Sequence, residues 1–278
     1  MLRRAASVSQ PLACNLCDRG FRQPEQPNAN VNRVSIAAPT EVCTLMTTAM
    51  PLRETRNLSV VAVGSFNPAI FHPAWFAAND LIRKDEADES TVQLVHNQAT
   101  IFSTSWFVLK VDQNRFHLET ADPSKAFPLR DLALGTFELL EHTPLRAVGF
   151  NLTDVYQMSS EQCWHQFGDY FAPKQSWNAL LEKPDMATLI IKGTRPESIA
   201  DYNLIRAEPA DGVEFGVRLA LNQHYALDTP PDKLSDPKLI ELKKFAPILQ
   251  NEWDEFLKYS DNVASHLFKE CKNVEQKV

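Results

Sequence analysis

Cysteine is the most chemically versatile side chain here, and Cys14 and Cys17 stand as Cys-Asn-Leu-Cys with Cys43 further on. Two thiolates at that separation can share a tetrahedral zinc ion. No second Cys-x-x-Cys and no closely spaced histidine pair supplies a fourth ligand, so Cys14, Cys17 and Cys43 form an incomplete metal set and read as incidental. Cys163-Trp-His165 places a thiol near an imidazole in sequence. On a helix such residues point about 200° apart, which excludes a thiolate–imidazolium pair. Asp185 followed by Ile190-Ile-Lys192 resembles the Asp…Glu-x-Lys pattern of Mg²⁺ nucleases, but Ile190 occupies the carboxylate position. That strand reads as core. The most concentrated polar group is Asn222, His224 and Tyr225 near a strand end, a candidate binding site.

Other chemistries lack their motifs. The chain has 8 glycines, and none falls in a GxGxxG, GxxxxGK[ST] or GxSxG setting, which removes support for phosphate-cradling loops and a nucleophile elbow. HExxH and EF-hand spacings are also missing, and no cofactor is expected. These patterns neither assign nor exclude catalysis.

The totals fit a folded chain of 278 residues with 44% apolar content. Its net charge is −7, from 28 basic and 35 acidic residues, which gives no general attraction to nucleic acid or anionic lipid. The longest apolar runs, such as 58–63 and 213–221, are strand-sized and far below the roughly 20 residues that span a bilayer. No membrane segment is expected. The 5 cysteines form no disulfide framework, which favours a reducing, cytoplasmic compartment.

Residues 1–49 differ from the rest. Five arginines against Asp18, Glu25 and Glu41 give +2, leaving −9 for residues 50–278. This stretch has no sustained apolar period and reads as disordered or as a misassigned extension, with Met46 or Met50 as the alternative start.

The elements that must position any site follow from periodicity. Residues 58–63 read as a strand, 73–82 as a short helix and 83–90 as a charged loop. Three strand-like runs follow, at 91–96, 99–111 with a bend at 103–105, and 115–120. Residues 128–142 carry Leu129, Leu132, Ala133, Phe137 and Leu140 at helical spacing, with His142 near the C-terminal end, and 145–156 read as a strand. Ser159 to Gln162 reads as a capping box opening a helix to about 171, with another helix after Pro173 carrying Trp177, Leu180 and Leu181. Strands return at 187–192, 202–207 and 213–225. In the last segment Asp236-Pro237 caps a helix in which Leu242, Leu249, Trp253, Phe256, Val263 and Leu267 step by three and four, with either a kink or a junction of two helices expected at Pro247.

The fold class is therefore α+β, with two antiparallel meanders each followed by a helix and a long C-terminal helix. Residues 50–156 form the first half and 157–278 the second, within one domain or two. The repeated order raises an internal duplication, although no residue identity between the halves supports it. Aromatic residues at 66–76 and 106–116 read as core; beside Lys110, Arg115 and His117 they also present a base-stacking alternative.

The runs from Asn67 to Trp75, Ile101 to Glu119, Leu129 to Asn151 and Tyr202 to Tyr225 together resemble a sporadically distributed family of bacterial conserved hypothetical proteins. The resemblance covers most of residues 58–270 and implies a bacterial cytoplasmic protein acting beside another gene product. It transfers no functional residue. The resulting expectation is a non-catalytic binding or assembly component whose partner is another protein or a second copy, with the C-terminal helix as interaction element. The competing classes are an enzyme with a dispersed site around His224 and a single-stranded nucleic-acid binder using the first sheet.

Overall fold

Residues 52–64, exposed at first and buried continuously from Leu58 to Ala62, and residues 145–157, whose burial alternates after Phe150, form two long strands, β1 (Leu52–Gly64) and β6 (Leu145–Gln157), which pair antiparallel with Leu58 opposite Leu152. The computed structural model describes residues 50–228 and 242–273. After β1 the chain forms α1 (Pro73–Ala78) and α2 (Lys84–Asp88). A meander of β2 (Thr91–Val95), β3 (Ala99–Ser103), β4 (Val108–Asp112) and β5 (Arg115–Thr120) leads to α3 (Ala126–Leu139). After β6 come α4 (Glu161–Phe171), then β7 (Leu189–Gly193), β8 (Tyr202–Pro209) and β9 (Gly216–Ala226), and finally α5 (Phe245–Asn273). The nine strands form one antiparallel sheet ordered β2-β3-β4-β5-β1-β6-β9-β8-β7.

That order contains a two-fold repeat. Each half starts with a long strand, passes through helix, runs a meander whose last strand returns to the long strand, and ends in a helix. The repeat unit therefore begins at β6, so residues 145–156 open the second half. The first meander has four strands and the second three, leaving β2 without a counterpart.

Helices cover one face of the sheet. Phe150 on β6 packs against Tyr225 of β9 at 5.3 Å and against Trp253 and Phe256 of α5 at 5.0 and 5.6 Å, ring centre to ring centre. Phe116, Phe137 and Phe66 form the matching packing under α3. A second cluster joins Tyr156, Phe167 and Phe268 near the far end of α5. Burying each such ring contributes about 2–3 kcal/mol.

One ion-pair network lies in this layer. Arg56, opposite Asp154 across β1 and β6, donates to both of its carboxylate oxygens at 2.8 and 2.6 Å and to Asp261 of α5 at 2.6 Å. Tyr156 donates its hydroxyl to Asp154 at 2.9 Å. Burial, with Asp154 alongside, pushes the Tyr156 hydroxyl up to about 12.

The α+β class, the two meanders and the long C-terminal helix match the sequence reading, whereas several local expectations do not. Residues 83–90 are not a loop. They contain α2, whose first-turn Asp85 and Glu86 suit the positive helix end, and Trp106 donates its indole N–H to Glu86. The run 99–111 is two strands of a hairpin. The capping serine is Ser160, whose Oγ accepts from the Cys163 amide at 3.2 Å. No α-helix follows Pro173, where a single 3-10 turn, Lys174–Ser176, leaves Trp177, Leu180 and Leu181 exposed. A short helix needs packing to persist, and these side chains cover no core. Pro247 falls in the first turn of α5, where its missing N–H breaks no helical bond, so it demands no kink. α3 ends at Leu139, leaving His142 outside it and exposed. The cap at Asp236-Pro237, Met46, and the metal set Cys14, Cys17 and Cys43 lie outside the described residues.

Asp154 is 1% exposed. Asp154→Ala removes two of the three bonds to Arg56 and the acceptor of the Tyr156 hydroxyl, leaving the guanidinium only the exposed Asp261, and should cost about 2–4 kcal/mol, read as a lower urea midpoint. Arg53→Ala, which removes an exposed member of the network, should cost under about 1 kcal/mol. Equal losses would show that the buried pair has no special role.

Candidate functional site

Alternate residues of every strand point away from the helices, and no described element covers them. Along the centre of this bare face, β1 presents Asn57 and Ser59 and β6 presents Asn151 and Thr153. Asn57 stands opposite Thr153, and Ser59 opposite Asn151, on either side of the Leu58:Leu152 pair. Both strands read Asn-Leu-(Ser/Thr)-x-Val: Asn57-Leu-Ser-Val-Val61 and Asn151-Leu-Thr-Asp-Val155. The local two-fold axis of the sheet thus passes through Leu58:Leu152 and exchanges one polar set for the other. This is the residue identity between the halves that inspection of the sequence missed. Its signal is five residues long, too short to stand out until the pairing aligns it.

Side chains link across this centre. Asn222 of β9 donates its amide to Asn151 Oδ1 at 2.7 Å, and Asn151 donates to Ser59 Oγ at 3.3 Å. Toward β5 the face carries Arg115, His117 and Glu119, with Lys110 on β4 donating to Glu119 at 2.7 Å. Arg115, His117 and Glu119, with Asn57, Ser59, Asn151 and Thr153, line a concavity of about 390 Å³. Toward β8, His224 stacks on Tyr202 at 4.5 Å with 17° between the rings, and Lys192 Nζ lies 4.0 Å from the Tyr202 ring centre. The strands present Lys110, Arg115, Lys192, Arg206 and Arg218 on this face, against Asp112, Glu119 and Glu208. Cations outnumber carboxylates here in a chain that is acidic overall.

The sequence-derived residues divide. Asn222 and His224 belong to the bare face, but Tyr225 points the other way, as strand alternation requires. It is fully buried, and its hydroxyl donates to Glu252 Oε2 at 3.3 Å. Burial pushes both Tyr225 and Glu252 above their ordinary values. On α5, Leu249, Trp253 and Phe256 are fully buried on the protein's own sheet and Val263 and Leu267 are half-buried, as is Leu242 just before the helix, so the stripe packs inward. Cys163 Sγ contacts Ser159 Oγ at 3.3 Å while His165 lies 3.7 Å from Asp185. Asp185 also pairs with Lys174 at 2.8 Å, whereas Lys192 stands over Tyr202. Phe66, Phe71, Phe76, Phe107 and Phe116 are all core, leaving the bare face of β3–β5 without a stacking aromatic. Among the described residues no group of three or more His, Cys, Asp and Glu could hold a metal ion.

The arrangement can donate and accept hydrogen bonds over a broad surface. Among the described residues Ser59 Oγ accepts from Asn151, and no histidine or carboxylate hydrogen-bonds to it. No protein-family model and no curated protein sequence matches the chain.

Burial holds the His117 imidazole below its ordinary value against the pull of Glu119 at 3.4 Å, and burial likewise lowers His224 against Asp201. The unfolded chain therefore takes up these protons first, and below about pH 6.5 acid should favour unfolding. The double variant His117→Gln, His224→Gln should lose less stability than the parent on acidification to about pH 5, as followed by urea midpoints. Parallel profiles would show that the imidazoles contribute nothing.

Proposed function

We propose that this protein is a non-catalytic binding component of the bacterial cytoplasm, taking a protein partner with an acidic surface on the bare face of its sheet. The observation that carries this reading is the concavity on the local two-fold axis, lined by matched Asn and Ser/Thr pairs. Asn57 is exposed, Asn151 and Thr153 are half-buried and Ser59 is buried, and none of the four lies under the helix layer that dictates core identities, so matching there favours a surface used for recognition. Excess cations on the same face favour an acidic partner, since complementary charge steers encounter and suppresses wrong partners. Hydroxyl and amide groups around the axis supply directional bonds, each contributing a net 0.5–1.5 kcal/mol or so.

Single-stranded nucleic acid is the second reading, and the stacked Tyr202–His224 pair with Lys192 is the observation that favours it. It would bind with a steep salt dependence.

A photo-crosslinking residue placed at exposed Asn57 in the native bacterial host should trap a discrete protein adduct. The same residue at Glu255, on the outer side of α5, should trap none. Adducts of equal yield at both positions, or none at Asn57, would overturn the reading. Crosslinking of Asn57 to nucleic acid, with salt-sensitive binding of a polythymidine oligonucleotide, would establish the second reading instead.

A further inference from the structure

The two ends of the sheet differ. β2 closes the first half, and its pairing with β3 is interrupted by a register shift between Val92 and Leu94. Such a bulge twists an edge away from further pairing. β7 closes the second half with an uninterrupted register against β8. Its sequence, Leu-Ile-Ile-Lys-Gly, has no proline, its one charged residue, Lys192, is turned over the Tyr202 ring of the neighbouring strand, and Ile190 and Ile191 are both more than half exposed on opposite faces of the strand. The chain just before it adds Trp177, Leu180 and Leu181, also more than half exposed.

The internal repeat explains what is missing there. Counting outward from the axis, β5 corresponds to β9, β4 to β8 and β3 to β7, so the counterpart of β2 would lie outside β7. The chain between α4 and β7 occupies the sequence position of that strand but forms only the turn Lys174–Ser176. One antiparallel strand would complete the second half.

We propose that this place is filled by β7 of a second copy, giving a two-fold dimer whose sheets join edge to edge. The strand is self-complementary. Antiparallel pairing centred on Ile191 sets Ile191 against its own counterpart and Ile190 against Lys192 of the other copy, so no like charges face each other. Each new backbone bond satisfies an edge group, and the apolar residues of 177–191 in both copies come together around the join. β2 also exposes Val92, Leu94 and Val95, but the bulge between Val92 and Leu94 breaks the even register that edge pairing needs, so growth stops at two copies. The join also makes the two bare faces continuous.

Native mass spectrometry of the full chain at micromolar concentration should give a dimer mass, and Ile191→Lys, which brings two cations together on the axis, should shift it to monomer. Because that variant could also disturb folding, Ile191→Cys supplies an independent readout. Mild oxidation should crosslink it between copies well beyond the parent, while Val92→Cys on the other edge should not crosslink. A monomeric parent, a dimer that survives Ile191→Lys, or equal crosslinking at both edges would overturn the proposal. Neither readout depends on what the bare face binds, so failure here leaves the proposed function standing.

Discussion

Everything in this fold hangs on one antiparallel pair, β1 against β6, centred on Leu58 and Leu152. The two strands belong to different halves of the chain, so their register sets how the meanders face one another. A slip by one residue would turn every inward side chain outward. On the helix side the register is secured by Arg56 opposite Asp154, with Asp261 of α5 reaching the same guanidinium. Two charges withdrawn from water are a poor source of net stability, but they penalise misalignment severely, because any slip leaves a buried charge unpaired. The outward side of the same pair carries uncharged Asn, Ser and Thr. Register and recognition are thus assigned to opposite faces of two strands.

Two-fold equivalence survives on the outward side and, beyond the Leu58:Leu152 pair itself, is lost on the inward one. About the axis, Arg56 corresponds to Phe150, and Asp154 to Val60. The reason lies in the helices. α3 spans Ala126–Leu139, whereas α5 runs from Phe245 to Asn273, crossing Phe150 with Trp253 and Phe256 and reaching a second cluster at Phe268. Core residues must fit the helix that lies on them, so two unlike helices select unlike partners.

The architecture was legible in the sequence wherever apolar period and turn residues agreed, as in 115–120 and 128–142. Where tertiary bonds decided the outcome, it was not. Residues 84–88 lack an apolar face and read as a loop, yet an indole bond from Trp106 to Glu86 helps hold them helical. Trp177, Leu180 and Leu181 have helical spacing but meet no surface to pack on, so no helix forms. The stripe on α5 illustrates a third limit, since a seam that suits a partner helix suits the protein's own sheet equally well. For the candidate site, Asn222 and His224 were visible as a polar concentration, and strand alternation alone separates them from Tyr225. Asn57, Ser59, Asn151 and Thr153 were hidden because short polar residues in a strand carry no signal until pairing brings them together.

The central polar set is partly engaged and partly spare. Asn222, Asn151 and Ser59 form a chain of bonds that fixes the orientation of both amides. Asn57 and Thr153, the matching pair across the axis, make no side-chain hydrogen bond among the described residues. An amide carries two N–H donors and two acceptor lone pairs, so even the bonded members keep capacity directed outward. Groups already held in place lose little freedom when they bind, whereas unbonded Asn57 can adjust. A surface of this kind gains its selectivity from the placement of donors and acceptors more than from buried area. Equivalent positions on either side of the axis then suit a partner that presents matching groups in pairs.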